Sequence, residues 1–209
     1  MNDIVVILLA ALAAYLLGSV PFAMVCSRIF GLADPRSYGS GNPGATNVLR
    51  SGHKMAAAMT LLGDMAKGWL AVFLAQTYGA KYGFTQTLIG TVALSVFFGH
   101  LFPIFLKFKG GKGVATAAGV LFALDLQLGF IVLGLWLAVA FVLRYSSLAA
   151  LVSAVTAPIV AFMFWGSGFL ALAVSVICMV LIVKHWGNLQ RLMTGTEPKI
   201  GAKKQTGKT

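Results

Sequence analysis

Three polar runs interrupt an otherwise apolar chain, and each carries residue types that bind phosphate. Residues 40–50 read Ser-Gly-Asn-Pro-Gly-Ala-Thr-Asn-Val-Leu-Arg. Glycine lets backbone N–H groups approach an anion closely, and successive free N–H groups form an anion-binding concavity. Ser40, Asn42, Thr46 and Asn47 add polar side chains, and Arg50 adds a planar fork suited to phosphate or carboxylate. Asn42-Pro43-Gly44 fits a type II turn, with Thr46 or Asn47 placed to cap the helix leading into the next apolar run. The second run holds Gly99-His100-Leu101-Phe102-Pro103 and then Lys107-Phe108-Lys109-Gly110-Gly111-Lys112-Gly113-Val114-Ala115-Thr116. Lys112 is a compact charge flanked by Gly110, Gly111 and Gly113, able to reach a phosphoryl oxygen. The third run is Lys184-His185-Trp186-Gly187-Asn188-Leu189-Gln190-Arg191, followed by Gly195 and Glu197. On a helix His185, Asn188 and Arg191 share a face.

Each run also has a plainer reading: a capped loop, lysines anchoring an interface, and Trp186 in an aromatic belt. The plain reading leaves the glycines around Lys112 without a purpose. The second run is not a nucleotide-binding loop, because the Gly-x-x-x-x-Gly-Lys-Ser/Thr spacing is absent. No Ser-His-Asp set is clearly placed for nucleophilic catalysis. The three histidines lack the cysteine and carboxylate company of a metal site, and no cofactor is called for. A His-x-x-x-x-Asp pair is also absent: the residues five after each histidine are Ala58, Phe105 and Gln190. What remains is rich in donors and poor in acids, which suits anionic substrates and developing negative charge. The first two runs can accommodate two phosphates, and a membrane can accommodate an acyl chain.

The elements that must position these residues are membrane spans. The chain has 209 residues, 59% hydrophobic and 10% charged, with a net charge of +11. Long apolar stretches predict an all-α polytopic membrane protein. The basic balance then reflects lysines and arginines on cytoplasmic loops rather than nucleic-acid binding. Apolar runs fall near 4–25, 55–77, 86–106, 113–143, 147–165 and 168–183. The first reads as an uncleaved span, interrupted by Gly18, Ser19 and Pro21, which suggests close packing or a kink. The run 113–143 is 31 residues long, against the roughly 20 that one span requires. Splitting it near Asp125 into two short helices puts Arg28, Arg36, Arg50, Lys54, Lys107, Lys109, Lys112, Arg144 and the basic tail on one side, and leaves only Lys81 clearly outside. The positive-inside rule thus predicts about seven transmembrane helices, some short, with the N-terminus out, the C-terminus in and the glycine-rich loops cytoplasmic. Residues 1–198 read as one transmembrane domain and 199–209 as a basic, disordered tail. Asp64 and Lys67, three residues apart inside a span, read as a structural pair. Ser146 and Ser147 mark a tight inner turn, and Cys26 and Cys178 read as packing residues.

Taken together, the run at 40–50, Gly-His-x-x-Pro with Lys-Gly-Gly-Lys-Gly-Val-Ala-Thr, and Lys-His-x-x-Asn-x-x-Arg with Gly-x-Glu resemble the three motifs of the bacterial acyl-phosphate:glycerol-3-phosphate acyltransferases, the PlsY family. Gly-Ser-x-Pro-Phe at 18–22 and Asp-x-x-Lys-Gly at 64–68 extend the resemblance over essentially the whole chain. It implies transfer of a fatty acyl group from acyl phosphate to sn-glycerol 3-phosphate in the bacterial inner membrane. The products are lysophosphatidic acid and phosphate, as the first step of phospholipid synthesis, with a separate phosphate acyltransferase making the donor. On the matching positions, Ser40, Arg50, Lys112, His185 and Asn188 are expected to bind glycerol 3-phosphate and organise catalysis. Asn42, Gly44, Thr46 and Asn47, with the backbone of Gly110, Gly111 and Gly113, are expected to hold the acyl phosphate. His100, Arg191 and Glu197 complete the expected substrate-binding set. The rival reading is a transporter or exchanger of phosphorylated metabolites, which short broken helices would fit.

Overall fold

Every regular element among the described residues is helical. The computed structural model describes residues 3–81 and 86–201; the side chain of Lys81 and the tail lysines beyond 201 lie outside the described residues. The first apolar run forms α1 (Asp3–Gly18) and α2 (Phe22–Ile29). The break between them falls at Pro21, which has no N–H to continue a helix. Gly18 packs directly on the apolar run at 86–106, as its position suggested: a Cβ there would lie 2.1 Å from the Val96 carbonyl oxygen. The following helices are α3 (Ala45–Leu49), α4 (Lys54–Lys81), α5 (Gln86–Leu101), α6 (Val114–Leu124), α7 (Leu126–Leu143), α8 (Ser146–Trp165), α9 (Phe169–Lys184) and α10 (Trp186–Met193).

The long run at 113–143 is indeed two helices. Asp125 ends α6 and caps α7, accepting the Leu128 N–H at 3.0 Å. Five segments are long and apolar enough to cross a bilayer: Asp3–Ile29, Lys54–Ala80, Gln86–Leu106, Leu126–Leu143 and Ser146–Trp165. Phe169–Lys184 joins them when taken with Trp186–Met193, from which it is bent by 56°. The expected seven crossings therefore require α6, only 11 residues long, as the seventh.

Packing is tightest where small residues let backbones meet. α4 lies along α6, α1 along α5, and α8 between α7 and α9, while α5 also touches α4 and α9. At the α4–α6 crossing a Cβ on Gly119 would lie 1.9 Å from the Met65 carbonyl oxygen. Contact this close replaces the hydrophobic drive that lipid cannot supply between helices. Phe97, Leu101, Leu128 and Ile177 are fully buried, whereas Leu8, Phe130, Phe141, Val155 and Met179 face outward. Apolar residues on both faces are what helices between core and lipid require. Cys26 and Cys178 are buried and unpaired.

Candidate active site

The loop at 34–50 is built around Asn47. Its side-chain oxygen accepts the Ser40 N–H at 2.9 Å, and its amide nitrogen donates to the carbonyls of Pro35 at 2.6 Å and Tyr38 at 3.1 Å. The residue is buried. Asn47 was expected to hold the donor phosphate; the structure gives its side chain a task inside the loop instead. The turn and cap also differ from expectation. The Gly44 N–H donates to the Asn42 carbonyl at 2.9 Å, a three-residue turn centred on Pro43. Gly44 has φ −149°, where a type II turn needs a positive φ. Gly44 is the N-cap residue of the five-residue α3, which has no side-chain cap from Thr46 or Asn47. The long helix α4 starts separately at Lys54, where His53 Nδ1 accepts the Ala56 N–H at 3.1 Å. Folded this way, the loop presents Ser40, Thr46 and Arg50 to the exterior, with Asn42 and Gly44 half-buried beside them.

The glycine loop turns back over the end of α5. Gly110 N–H donates to the Leu101 carbonyl at 3.2 Å and Gly111 N–H to the His100 carbonyl at 3.3 Å. These two amides close the C-terminus of α5 and are not offered to a ligand, contrary to the phosphate cradle read from the sequence. The reason for glycine at 111 is space: a Cβ would lie 2.3 Å from His100 Nε2. His100 is buried under this turn, its Nδ1 3.4 Å from Asp64 Oδ1. Backbone donors for an anion fall instead to Lys112, Gly113 and the first turn of α6, whose N–H groups have no intrahelical acceptor.

The second and third runs meet at Lys112. Its Nζ donates to Asn188 Oδ1 in a short contact. Asn188 Nδ2 donates to Glu197 Oε1 at 2.6 Å, Ser147 Oγ to the same oxygen at 2.7 Å, and Arg191 Nε to Glu197 Oε2 at 2.7 Å. Asn188 and Arg191, predicted to share a helix face, thus converge on one buried carboxylate. Burial pushes the Glu197 carboxyl up, but the bonds from Ser147, Asn188 and Arg191 outweigh it and hold the group below the usual range. Lys112 is pushed down to about 8, by burial first and then, against the pull of Glu197, by the nearby Arg191 and Arg50. That influence brings Arg50 of the first run into the field of the other two. Lys112 and Arg191 flank this carboxylate and Arg50 is felt at Lys112, so positive charge outweighs negative here, as an anionic substrate requires.

His185 stands at the bend between α9 and α10, with its ring buried and Nδ1 2.9 Å from the Leu181 carbonyl. In a neutral ring that contact assigns the proton to Nδ1 and leaves the Nε2 lone pair free. Ser147 is the residue given too little weight in the sequence; its signal was a hydroxyl at the start of a span on the same face as the basic loops. The chain after α10 also does more than expected. The Ile200 N–H donates to the Arg144 carbonyl at 2.6 Å, and Arg144 Nη2 donates to the Ile200 carbonyl at 3.0 Å. The segment carrying Glu197 is therefore fastened past residue 199, where a disordered tail was expected to begin.

Known proteins resemble this chain in sequence and fold. A family model described as glycerol-3-phosphate acyltransferase matches residues 8–195. A glycerol-3-phosphate acyltransferase of Dechloromonas aromatica (strain RCB) is 62% identical over 199 residues, 95% of this chain and 98% of that protein. Its counterpart in Ralstonia pickettii (strain 12J) is 56% identical over 205 residues, 98% of this chain and 99% of that one. Among solved structures, PlsY (YgiH), an integral membrane glycerol 3-phosphate acyltransferase, matches in its glycerol 3-phosphate form with a TM-score of 0.87 at 34% identity, covering 93% of this chain and 96% of the other. Its lysophosphatidic acid form matches with a TM-score of 0.85 at 33% identity, covering 93% and 95%. With nearly the whole chain matched in both sequence and fold, this multi-pass membrane protein belongs to the glycerol-3-phosphate acyltransferase family, PlsY.

Proposed function

We propose that the chain acylates the 1-hydroxyl of sn-glycerol 3-phosphate from an acyl phosphate, at the cytoplasmic face of a bacterial inner membrane. The observation that supports this reading is the meeting of the second and third runs at Lys112, Asn188, Arg191 and the buried Glu197, with Arg50 of the first run close enough to act on Lys112. Lys112 and Arg50 bind the acceptor phosphate, with Asn188 fixing the Lys112 ammonium. The donor phosphate lies against the loop of Asn42, Gly44 and Thr46 and the start of α6. Acyl phosphate is already activated, so the protein need mainly align the hydroxyl and stabilise the oxyanion and the departing phosphate. The acceptor oxygen attacks the carbonyl carbon and the carbon–oxygen bond to phosphate breaks. The hydroxyl proton passes to His185 Nε2 or to a substrate phosphate. A separate phosphate acyltransferase supplies the donor.

Seven crossings, with the N-terminus out and the C-terminus in, put all three polar runs and the basic tail on the cytoplasmic side. The test is detergent-purified protein given acyl phosphate and labelled glycerol 3-phosphate. Labelled lysophosphatidic acid formed without any vesicle supports the reading; absence of product under conditions where the protein is folded overturns it. A stoichiometric acyl-enzyme trapped with acyl phosphate alone would replace direct transfer by a route through Ser40.

A further inference from the structure

Beneath the two phosphate loops lies a buried polar group outside the proposed substrate contacts. Asp64 and Lys67 are on α4, with side chains 4% and 1% exposed and Nζ 2.8 Å from Oδ1. Isolated charges at such depth are expensive, and those that occur are paired and tied to function. This pair reaches in two directions. Lys67 Nζ also donates to the Val20 carbonyl at 2.8 Å, at the break between α1 and α2. Asp64 Oδ1 lies 3.4 Å from His100 Nδ1. The other edge of the His100 ring is what a side chain at Gly111 would strike, and the His100 carbonyl accepts the Gly111 N–H. A small cavity at this point is bounded by Val20, Asp64, Lys67, His100 and Gly111, and also by Pro43 from the first loop. Both loops therefore rest on the same buried cluster, and Lys112 follows Gly111 directly.

We propose that Asp64 and Lys67 are positioning residues for acyl transfer, acting through His100 to set the place of the Gly110–Gly111 turn and so of Lys112, an inference that rests on Lys112 binding substrate phosphate. An ion pair needed for folding alone would only have to hold α4 against its neighbours. This one joins a helix break, a histidine ring and the turn carrying Lys112. Misplacing a binding group by about 1 Å is enough to cost roughly 100-fold in rate.

The test uses full-length protein and compares Asp64→Asn/Lys67→Met, Gly111→Ala and Lys112→Ala by steady-state kinetics in glycerol 3-phosphate and by thermal unfolding. The double variant removes both charges while keeping approximate volume, and buried pairs replaced together by uncharged residues often leave stability nearly unchanged. Gly111→Ala displaces the turn from His100 with the ion pair intact. The expected result is a fall of about 10–100-fold in kcat/KM for both, with a raised KM for glycerol 3-phosphate and little change in unfolding temperature. Adding His100→Ala to the double variant is expected to give little further loss, because all act on one element. Normal kinetics in Gly111→Ala, or in a folded double variant, overturn the proposal. If the double variant does not fold, Gly111→Ala decides alone. Normal activity of Lys112→Ala instead removes the reading on which the proposal rests, whatever the other variants do.

Discussion

At the residue scale, the chemistry of the site depends on which groups are free and which are already bonded. Lys112 holds its charge below about pH 8 and loses it as pH rises through that value. Bound phosphate opposes the loss, so the effect belongs to binding more than to turnover. KM for glycerol 3-phosphate is expected to rise above about pH 8 while kcat changes less. In Lys112→Arg, whose charge persists, the alkaline rise should disappear. A KM flat through this range in the unaltered protein would show that Lys112 does not meet the phosphate. Asn47 gives a second expectation. Asn47→Asp keeps the acceptor for Ser40 but removes both donors to Pro35 and Tyr38. Leaving those partners unmatched is expected to cost about 1–3 kcal/mol, seen as a lower unfolding temperature together with reduced activity. The type of each site residue was legible in the sequence, but its employment was less so. Asn47 and the Gly110 and Gly111 amides looked like ligands because nothing in a linear pattern shows that a carbonyl from α5 or from Pro35 has claimed the same donor.

At the scale of elements, the division of 113–143 was readable because charge and length constrained it together. A single crossing would have reversed the basic tail, and Asp125 offered a cap at the only suitable place. That cap lies at the junction of α6 and α7, at the opposite end of α6 from Lys112. Asp125→Ala is therefore expected to lower stability by about 1 kcal/mol and to leave kcat near normal. A large loss of activity at unchanged stability would show that the α6–α7 break communicates with the site. The broken end of the first span was also foreseen from Gly18, Ser19 and Pro21. What could not be read was where the break leads: Ser19 Oγ accepts the Ile104 N–H at 3.4 Å, and Tyr15 OH donates to the Phe102 carbonyl. These long-range partners depend on which helices become neighbours, and periodicity carries no such information in helices apolar on every side.

At the scale of the whole molecule, the site is assembled from loops far apart in the chain. Arg50, Lys112, Ser147 and the third run with Asn188 and Glu197 come from four separate parts of the chain, and the segment of Glu197 is fastened by Ile200 to the α7–α8 turn at Arg144. Two truncations separate the parts of the C-terminal region. Ending the chain after Gly201 keeps Glu197 and its fastening, and activity in purified protein is expected to remain close to that of the full chain. Ending it after Thr194 removes the carboxylate, leaves Arg191 and Asn188 without their acceptor, and is expected to abolish measurable turnover. The boundary inferred at residue 199 came from composition, since a small, basic, polar stretch reads as solvated. It missed that the Ile200 N–H bonds the Arg144 carbonyl and the Arg144 guanidinium bonds the Ile200 carbonyl, which fastens the chain as far as Ile200.

The late position of Glu197 has a consequence for biosynthesis. Lys112 is made long before the carboxylate whose partner, Asn188, it meets. Until the segment through Ile200 has been made and fastened to Arg144, Ser147, Asn188 and Arg191 lack their shared acceptor, so chains stalled or cleaved upstream of residue 197 are expected to reach the membrane with an incomplete cluster.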